Sequence, residues 1–404
     1  MVLRRSRRDA LLWEAWSTAT ADEEPPFAVL DLEALRTNAA SMVYRASGKP
    51  IRLATKSLRV RGAIERVLRM PGYAGALAFT LPEALWLATD CADVVVGYPS
   101  VDRAAIARLA ADERAAARVT LMIDDSAQLD LIDAIAPPAK RPPIRICLEL
   151  DASWPGPPPL GRLGVLRSPL GTPDEVRALA EVVARRPGFR LVGLMAYEAQ
   201  IAGVADGVPH RGAMNAAIAA IKRRSRAEIA ERRTQTVAAV SAVAPLEFVN
   251  GGGTGSLEST AADASVTEVA AGSGLFAGHY FDGYAGFSPR PATGFALSVV
   301  RKPRPDCVTV LGGGWVASGP PGTDRLPLVA HPAGLRMAAR EMAGEVQTPL
   351  IGEAARRLGI GDRVWLRHAK SGELSEHVNE FVCVEEGRIV ERLPTYRGEG
   401  KAFL

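Results

Sequence analysis

Cysteine is scarce in this chain, and its placement narrows the chemistry. The four cysteines, Cys91, Cys147, Cys307 and Cys383, stand far apart and match no zinc or disulfide spacing. Cys91 and Cys147 fall in apolar surroundings and read as core thiols. An excess of one charge is also missing. The 49 basic and 45 acidic residues leave a net charge of +4, and the Arg-rich run at residues 3–8 supplies much of it. No other basic cluster is interleaved with aromatics, so nucleic-acid binding has no support. No apolar run reaches the length of a membrane span. Asp9, Glu14 and two tryptophans follow the basic start, where a signal peptide would be apolar. These absences predict a soluble, cytoplasmic protein with neither a nucleic-acid nor a membrane partner.

Hydrophobic residues make up 48% and charged residues 23% of the 404 positions. That balance predicts packed globular cores, and the length suits one large barrel with a smaller domain. Residues 1–26 read as a short helix and a linker. Phe27-Ala28-Val29-Leu30 reads as a strand, and Asp31 then caps a helix. From Ile51 a rhythm begins. Apolar runs at 51–55, 75–79, 93–97, 119–123, 144–150, 190–196, 246–249 and 266–270 alternate with helical patterns. Those patterns start near Arg61, Pro82, Val101, Ser126, Thr172, Arg226 and Ser256. Strands alternating with helices predict a parallel sheet. Eight such units predict an α/β fold, a closed (β/α)8 TIM barrel, with an open doubly wound sheet as the alternative. The connections at 152–159 and 198–225 are longer than barrel loops usually are. Beyond His279 the pattern changes to β runs separated by turns, at 295–300, 306–311, 327–330, 363–368, 380–385 and 387–392. Residues 335–344 look helical. The chain thus divides into residues 1–30 packing on the β domain, a barrel over 31–278, and a C-terminal all-β domain over 279–404.

Two features could carry chemistry. Ile51-Arg52-Leu53-Ala54-Thr55-Lys56 is a strand that ends on a lysine. A lysine at the end of the first barrel strand enters the mouth where barrel enzymes work. Half-sunk there, its ammonium loses solvation and becomes a better nucleophile toward carbonyls. A surface lysine at a strand end is the plainer reading. Val249-Asn250-Gly251-Gly252-Gly253-Thr254-Gly255-Ser256 follows the seventh strand and opens a helix. Its glycines let backbone N–H groups approach an anion, and its hydroxyls add donors, so it reads as a phosphate cradle or as a flexible turn. Ala271-Gly272-Ser273-Gly274 follows the eighth strand beside it, and loops after strands seven and eight jointly bind phosphate in many barrels. A lysine and a phosphate cradle on one rim suit pyridoxal 5′-phosphate, which carries a phosphate and an aldehyde.

With these motifs the chain resembles the alanine racemase-like, or fold-type III, pyridoxal-phosphate enzymes. Within them it is most similar to the branch of D-threonine aldolase and D-serine dehydratase. The resemblance spans nearly the whole chain. It implies that Lys56 forms the Schiff base with the cofactor. It also implies that Gly252, Gly253 and Thr254, with Gly272, Ser273 and Gly274, hold the phosphate. The run Tyr280-Phe281-Asp282 also looks like that branch. Arg162, in Arg162-Leu163-Gly164-Val165 after Asp151, resembles the segment whose arginine approaches the cofactor's phenolic oxygen; a solvated loop arginine is the other reading. Tyr197, in Tyr197-Glu198, lies where the family places residues near the pyridine ring. Ala270 and Ala271 stand where alanine racemases carry an arginine facing the ring nitrogen, so that atom has a different partner here. Tyr284 superficially resembles a racemase motif.

The branch also carries a His-x-Asp or His-x-Cys pair that binds a divalent metal. His368 matches the histidine, but Lys370 stands where the carboxylate or thiolate belongs, and an ammonium repels a cation. Glu373 or Glu376 could complete a shifted metal site. Lys370 could replace the cation's charge. His368 could otherwise act alone as general acid or base, or be structural. His377 reads as a surface residue. The resemblance implies a homodimer acting on a small amino acid. The expected activity is a pyridoxal-phosphate-dependent lyase on D-3-hydroxy amino acids, by aldol cleavage or deamination. An amino-acid racemase or epimerase is the alternative.

Overall fold

A computed structural model describes residues 7–370 and 372–404. Residues 3–6 of the Arg-rich run and Ser371 of the C-terminal motif lie outside the described residues. Eight parallel strands close into a barrel. In chain order they are β2 (Ile51–Ala54), β3 (Tyr73–Ala78), β4 (Val94–Val96), β5 (Val119–Ile123), β6 (Ile144–Glu149), β9 (Phe189–Ala196), β10 (Phe248–Gly251) and β11 (Glu268–Ala271). β1 (Phe27–Asp31) precedes them, and a small ribbon, β7 (Trp154–Pro155) with β8 (Arg162–Leu163), lies between β6 and β9. The ring closes where β11 pairs with β2, Ala271 against Leu53. All eight apolar runs therefore become barrel strands.

The strands are apolar on both faces because both are buried. Val94 and Val96 join the layer beneath the outer helices. Val95, Met122, Cys147, Val192, Met195 and Phe248 instead form the inner cluster. Cys147 is a buried core thiol, whereas Cys91 is half-buried and its Sγ donates to the Asp93 carbonyl. Helix starts follow the expected caps. Asp31 accepts from the Ala34 N–H at 2.8 Å, and Thr172 caps the helix Pro173–Arg185 through a reciprocal box with Glu175.

The connection expected to be a loop over 198–225 is mostly helix. A single helix runs Gly212–Ser241, of which the sequence pattern starting near Arg226 marks only the second half. Its charges are scattered around the axis, which hides the periodicity that marks a one-sided helix. The C-terminal strands are β12 (Thr293–Arg304), β13 (Cys307–Leu311), β14 (Leu328–His331), β15 (Arg336–Met337), β16 (Gln347–Ile351), β17 (Arg363–Arg367), β18 (Glu380–Glu385) and β19 (Arg388–Pro394). They form one nine-stranded sheet with β1, which lies between antiparallel β12 and parallel β18. Residues 335–344 are not helical. Arg336 and Met337 pair with Ile351 and Leu350 of β16, a strand that sequence reasoning missed. Pairing with a neighbouring strand overrides local helix propensity there.

The helix Arg7–Ala19 lies on this sheet through Trp13 and Trp16, whose rings pack on Trp365 at 6.0 and 5.9 Å. Barrel and sheet share a continuous core that runs from Ile51, Leu53 and Leu58 to Phe295, Leu366 and Phe381. A polar link crosses the same joint. Glu83 is fully buried. Its carboxyl accepts from the Phe79 N–H at 2.7 Å and from the Tyr396 hydroxyl at 2.8 Å. Burial pushes its pKa up to about 7, against the lowering effect of those hydrogen bonds and of Arg59.

The folded chain thus holds the Glu83 proton up to about pH 7, whereas the unfolded chain releases it near the ordinary value of 4.5. The folded state binds more protons in that window, so stability falls as pH rises through it, by on the order of 3 kcal/mol. Denaturant midpoints measured from pH 4.5 to 8 are expected to decline over this range, and Glu83→Gln is expected to flatten that decline.

Candidate active site

β2 stops at Ala54 because the chain is pulled into one tight turn, Thr55–Ser57. The Thr55 hydroxyl donates to the Leu77 carbonyl on β3 at 3.1 Å. The N–H groups of Leu58 and Arg59 close on the Thr55 carbonyl at 2.9 and 3.0 Å. Lys56 therefore leaves the end of the strand and enters the barrel mouth. Its side chain is exposed to an open cavity in the barrel mouth and not sunk into the wall as expected. Nζ donates to the Tyr98 hydroxyl at 2.7 Å. Burial opposes ionisation of Tyr98, yet the nearby cations of Lys56 and Arg167 hold its phenol below the usual range. The Arg167 guanidinium lies 5.3 Å from the centre of the Tyr98 ring and 5.0 Å from that of Tyr197.

The β domain seals the other side of the Lys56 turn. Gly372 has φ +91°, and a Cβ there would stand 2.3 Å from the Lys56 carbonyl oxygen. The Ser375 hydroxyl donates to the Leu58 carbonyl at 2.5 Å, and Arg59 pairs with Glu376 at 2.6 Å. The same segment places Lys370 on the cavity wall. Burial lowers the pKa of Lys370, and Arg325 lowers it further while Glu373 opposes. Glu373 is raised by burial, against hydrogen bonding from the Ser318 N–H.

The glycine loop after β10 is shaped from behind by a carboxylate. Glu198 is buried and accepts from the Gly252 N–H at 3.0 Å, from the Thr260 hydroxyl at 2.5 Å and from Arg233 at 3.3 Å. Arg233 is also paired with Asp263 at 2.7 Å, so the buried negative charges have a cation. The Gly253 N–H donates to the Ser256 hydroxyl at 3.2 Å. The Thr254 hydroxyl accepts from the Gly274 N–H and from Ser273, both at 3.1 Å, which ties the two loops together. The N–H groups of Thr254 and Ser273 have no partner among the described residues. Free N–H groups and hydroxyls around a small-residue hollow fit a phosphate.

The structure thus gathers Lys56, Tyr197, Gly252, Gly253, Thr254, Gly272 and Ser273 around one cavity, with Gly274 just behind it. Two expected residues stand apart. Arg162 is half-exposed on the ribbon strand β8, paired with Asp151, and does not line the cavity. Arg167, five residues on, lines it instead. His368 is also absent from the cavity wall. It is buried, its Nδ1 lies 3.1 Å from the Thr293 hydroxyl, and a Cβ on Gly278 would stand 3.1 Å from its Nε2. Burial pushes its pKa down to about 3, helped by Arg367, so it is uncharged at neutral pH. His377 is exposed and stacks on Trp315 at 4.8 Å. Tyr284 lines the cavity, and its hydroxyl donates to the Ala202 carbonyl at 2.9 Å. Sequence reasoning missed Tyr98, Arg167 and Asn250. For Tyr98 the signal was available, since it stands just past the end of a predicted barrel strand.

The donor set does not suit a divalent cation. Among the described residues no group of three or more His, Cys, Asp or Glu side chains is placed to hold one. Lys370 brings an ammonium to the position where the second ligand was expected. Pyridoxal phosphate fits better, with an amine at one end of the cavity and a phosphate hollow at the other.

A family model described as "Alanine racemase, N-terminal domain" matches residues 30–279. Solved structures with this fold include D-threonine aldolase from Filomicrobium marinum, 21% identical, covering 94% of this chain and 96% of that one with a TM-score of 0.75. D-threo-3-hydroxyaspartate dehydratase from Delftia sp. HT23 is 19% identical over 92% and 97% with a TM-score of 0.68. Alanine racemase from Bacillus anthracis is 13% identical over 93% and 99% with a TM-score of 0.61. No curated protein matches at the sequence level.

At Gly272 an added Cβ would lie 2.4 Å from the Ala54 carbonyl oxygen, so the ends of β2 and β11 would have to part. Gly272→Ala is expected to weaken pyridoxal phosphate binding about tenfold or more by fluorescence titration. Gly286→Ala, where nothing lies within 4 Å, is expected to leave it unchanged.

Proposed function

The chain belongs to the alanine racemase N-terminal-domain family of fold-type III pyridoxal-phosphate enzymes, and from that premise we propose a lyase acting on D-3-hydroxy amino acids, by aldol cleavage or deamination. The observation that carries this reading is Lys370. A second amine, supplied by the β domain, faces the cavity into which Lys56 projects. Bound pyridoxal phosphate supplies an aldehyde that takes up amines and a ring that receives the electron pair released at Cα.

The chain's own residues do the rest. Lys56 is the amine that would hold the aldehyde of bound pyridoxal phosphate. Gly252, Gly253, Thr254, Gly272, Ser273 and Gly274 would shape the phosphate hollow, with the free N–H groups of Thr254 and Ser273 as its donors. Arg167, which lines the cavity where Arg162 does not, would take the role toward the cofactor's phenolic oxygen that was expected of Arg162. Tyr197 forms an aromatic wall. Lys370 accepts the proton of the substrate's β-hydroxyl as the Cα–Cβ bond breaks, or returns a proton to that oxygen as it departs. Its depressed pKa brings the free amine closer to neutral pH, which a general base needs. His368 is a positioning residue. The carbonyls of His368 and Ala369 accept from the N–H groups of His279 and Tyr280 at 3.0 Å, which fixes the segment that presents Lys370. We further propose a homodimer in which a second copy narrows the barrel mouth.

A racemase or epimerase is the second reading, and Tyr98 favours it. Its acidified phenol, hydrogen-bonded to Lys56, is a proton carrier beside the reacting amine. Solvent deuterium entering Cα with inversion and without cleavage would select that reading.

Incubation with D-threonine and D-3-hydroxyaspartate is expected to release an aldehyde or an oxo acid. Lys370→Met is expected to cut that release about a hundredfold or more while the bound cofactor's visible absorbance is kept. Arg167→Leu is expected to weaken cofactor binding about tenfold, and Arg162→Leu to leave it within about twofold. Equal effects at the two arginines would contradict the placement.

A further inference from the structure

Beneath the cavity a chain of buried polar groups runs down the inside of the barrel. Arg52 is 2% exposed and donates from Nε and Nη2 to the two oxygens of Glu268, at 2.6 and 2.9 Å. Nη2 also reaches Asp93 at 2.7 Å, and the Asp93 side chain opens toward solvent. At the other end, Asn250 Nδ2 donates to Glu268 Oε1 at 2.8 Å. Asn250 is 2% exposed and lines the cavity, and its Oδ1 has no hydrogen-bond partner among the described residues.

The direction of the Asn250 amide follows from this chain. Amide oxygen and nitrogen are interchangeable in shape, so the partners decide. A guanidinium only donates, and a carboxylate held by it through both oxygens only accepts. Glu268 therefore fixes Nδ2 toward itself and turns Oδ1 away. What remains is a carbonyl oxygen that can accept a hydrogen bond and cannot give one. An unpaired buried acceptor of this kind is costly, unless a ligand brings the donor.

Besides its phenolic hydroxyl, which lies next to the aldehyde, pyridoxal phosphate has one such donor on its ring, the protonated nitrogen. The ring nitrogen lies para to the carbon that bears the aldehyde, so it points away from the amine that holds the aldehyde. Ala54, Leu77, Met195 and Ala270 also line the cavity and offer that atom no side-chain polar group. We infer that Asn250 accepts the hydrogen bond of the cofactor's protonated ring nitrogen, with Glu268 and Arg52 fixing the amide in that sense. An arginine at position 270 or 271 could only donate, and would keep the ring nitrogen unprotonated. Asn250 does the reverse and gives the ring its full capacity to take up electrons. This inference rests on the pyridoxal-phosphate reading of the cavity.

The test uses the full chain loaded with pyridoxal 5′-phosphate labelled with ¹⁵N in the ring, and in parallel with the 1-deaza analogue, in which C–H replaces the ring nitrogen. The wild-type chain is expected to show the ¹⁵N resonance of a protonated ring. It is also expected to bind the natural cofactor about tenfold or more tightly than the analogue. In Asn250→Leu the resonance should move to the unprotonated position and the preference should fall to near one. An unprotonated resonance or no preference in the wild-type chain would overturn the inference, even if the variant fails to fold. So would an Asn250→Leu chain that keeps both signatures. Binding of neither compound, with no dependence on Lys56, would instead remove the cofactor reading itself.

Discussion

The position of Lys56 depends on a backbone contact between two domains. The Lys56 carbonyl meets a Gly372 that has no Cβ, on a segment whose Ser375 hydroxyl holds the Leu58 carbonyl. Barrel strand ends can support many chemistries. Here the β domain fixes which way the chain turns after β2, and it brings Lys370 to the same cavity. The joint is reinforced by the buried pair Glu83 and Tyr396 and by an apolar core common to both units. Amine, second amine and acidified phenol are thus held by packing from two sides and not by one loop.

Buried charge serves the same end. The barrel encloses Arg52 with Glu268, and a second group of Arg233 with Glu198 and Asp263. Ion pairs of this kind add little net stability, because desolvation offsets their attraction. Their evident use is direction. Glu198 orients the Gly252 N–H and shapes the glycine loop, and Glu268 orients the Asn250 amide. Each carboxylate spends its acceptors on the groups behind the cavity, so that the groups facing it keep a defined donor or acceptor character.

Much of this was legible in the sequence. Eight apolar runs became eight barrel strands because strands buried on both faces are continuously apolar. Lys56 and the two glycine loops were legible because they stand at strand ends, where topology fixes direction. The helix over 212–225 was hidden by charges spread around its axis. Residues 335–344 carry a local helical pattern, but pairing of Arg336 and Met337 with β16 decides their conformation. Arg162 carries the motif and Arg167 lines the cavity, because a local motif cannot say which way an irregular loop turns. His368 matched a motif, but burial behind Gly278 takes its ring off the cavity wall. Asn250 looked like one more residue of a glycine-rich run. Its meaning depends on Glu268 and Arg52, which only the closed barrel brings beside it.

The central claim is that Lys56 is the amine that engages the cofactor. The most direct measurement is borohydride reduction of the chain loaded with pyridoxal phosphate, followed by peptide mass spectrometry. The account predicts a reduced pyridoxyl phosphate group on Lys56, absent from Lys56→Ala. A label on Lys370 in place of Lys56, or no label on either lysine, would contradict it.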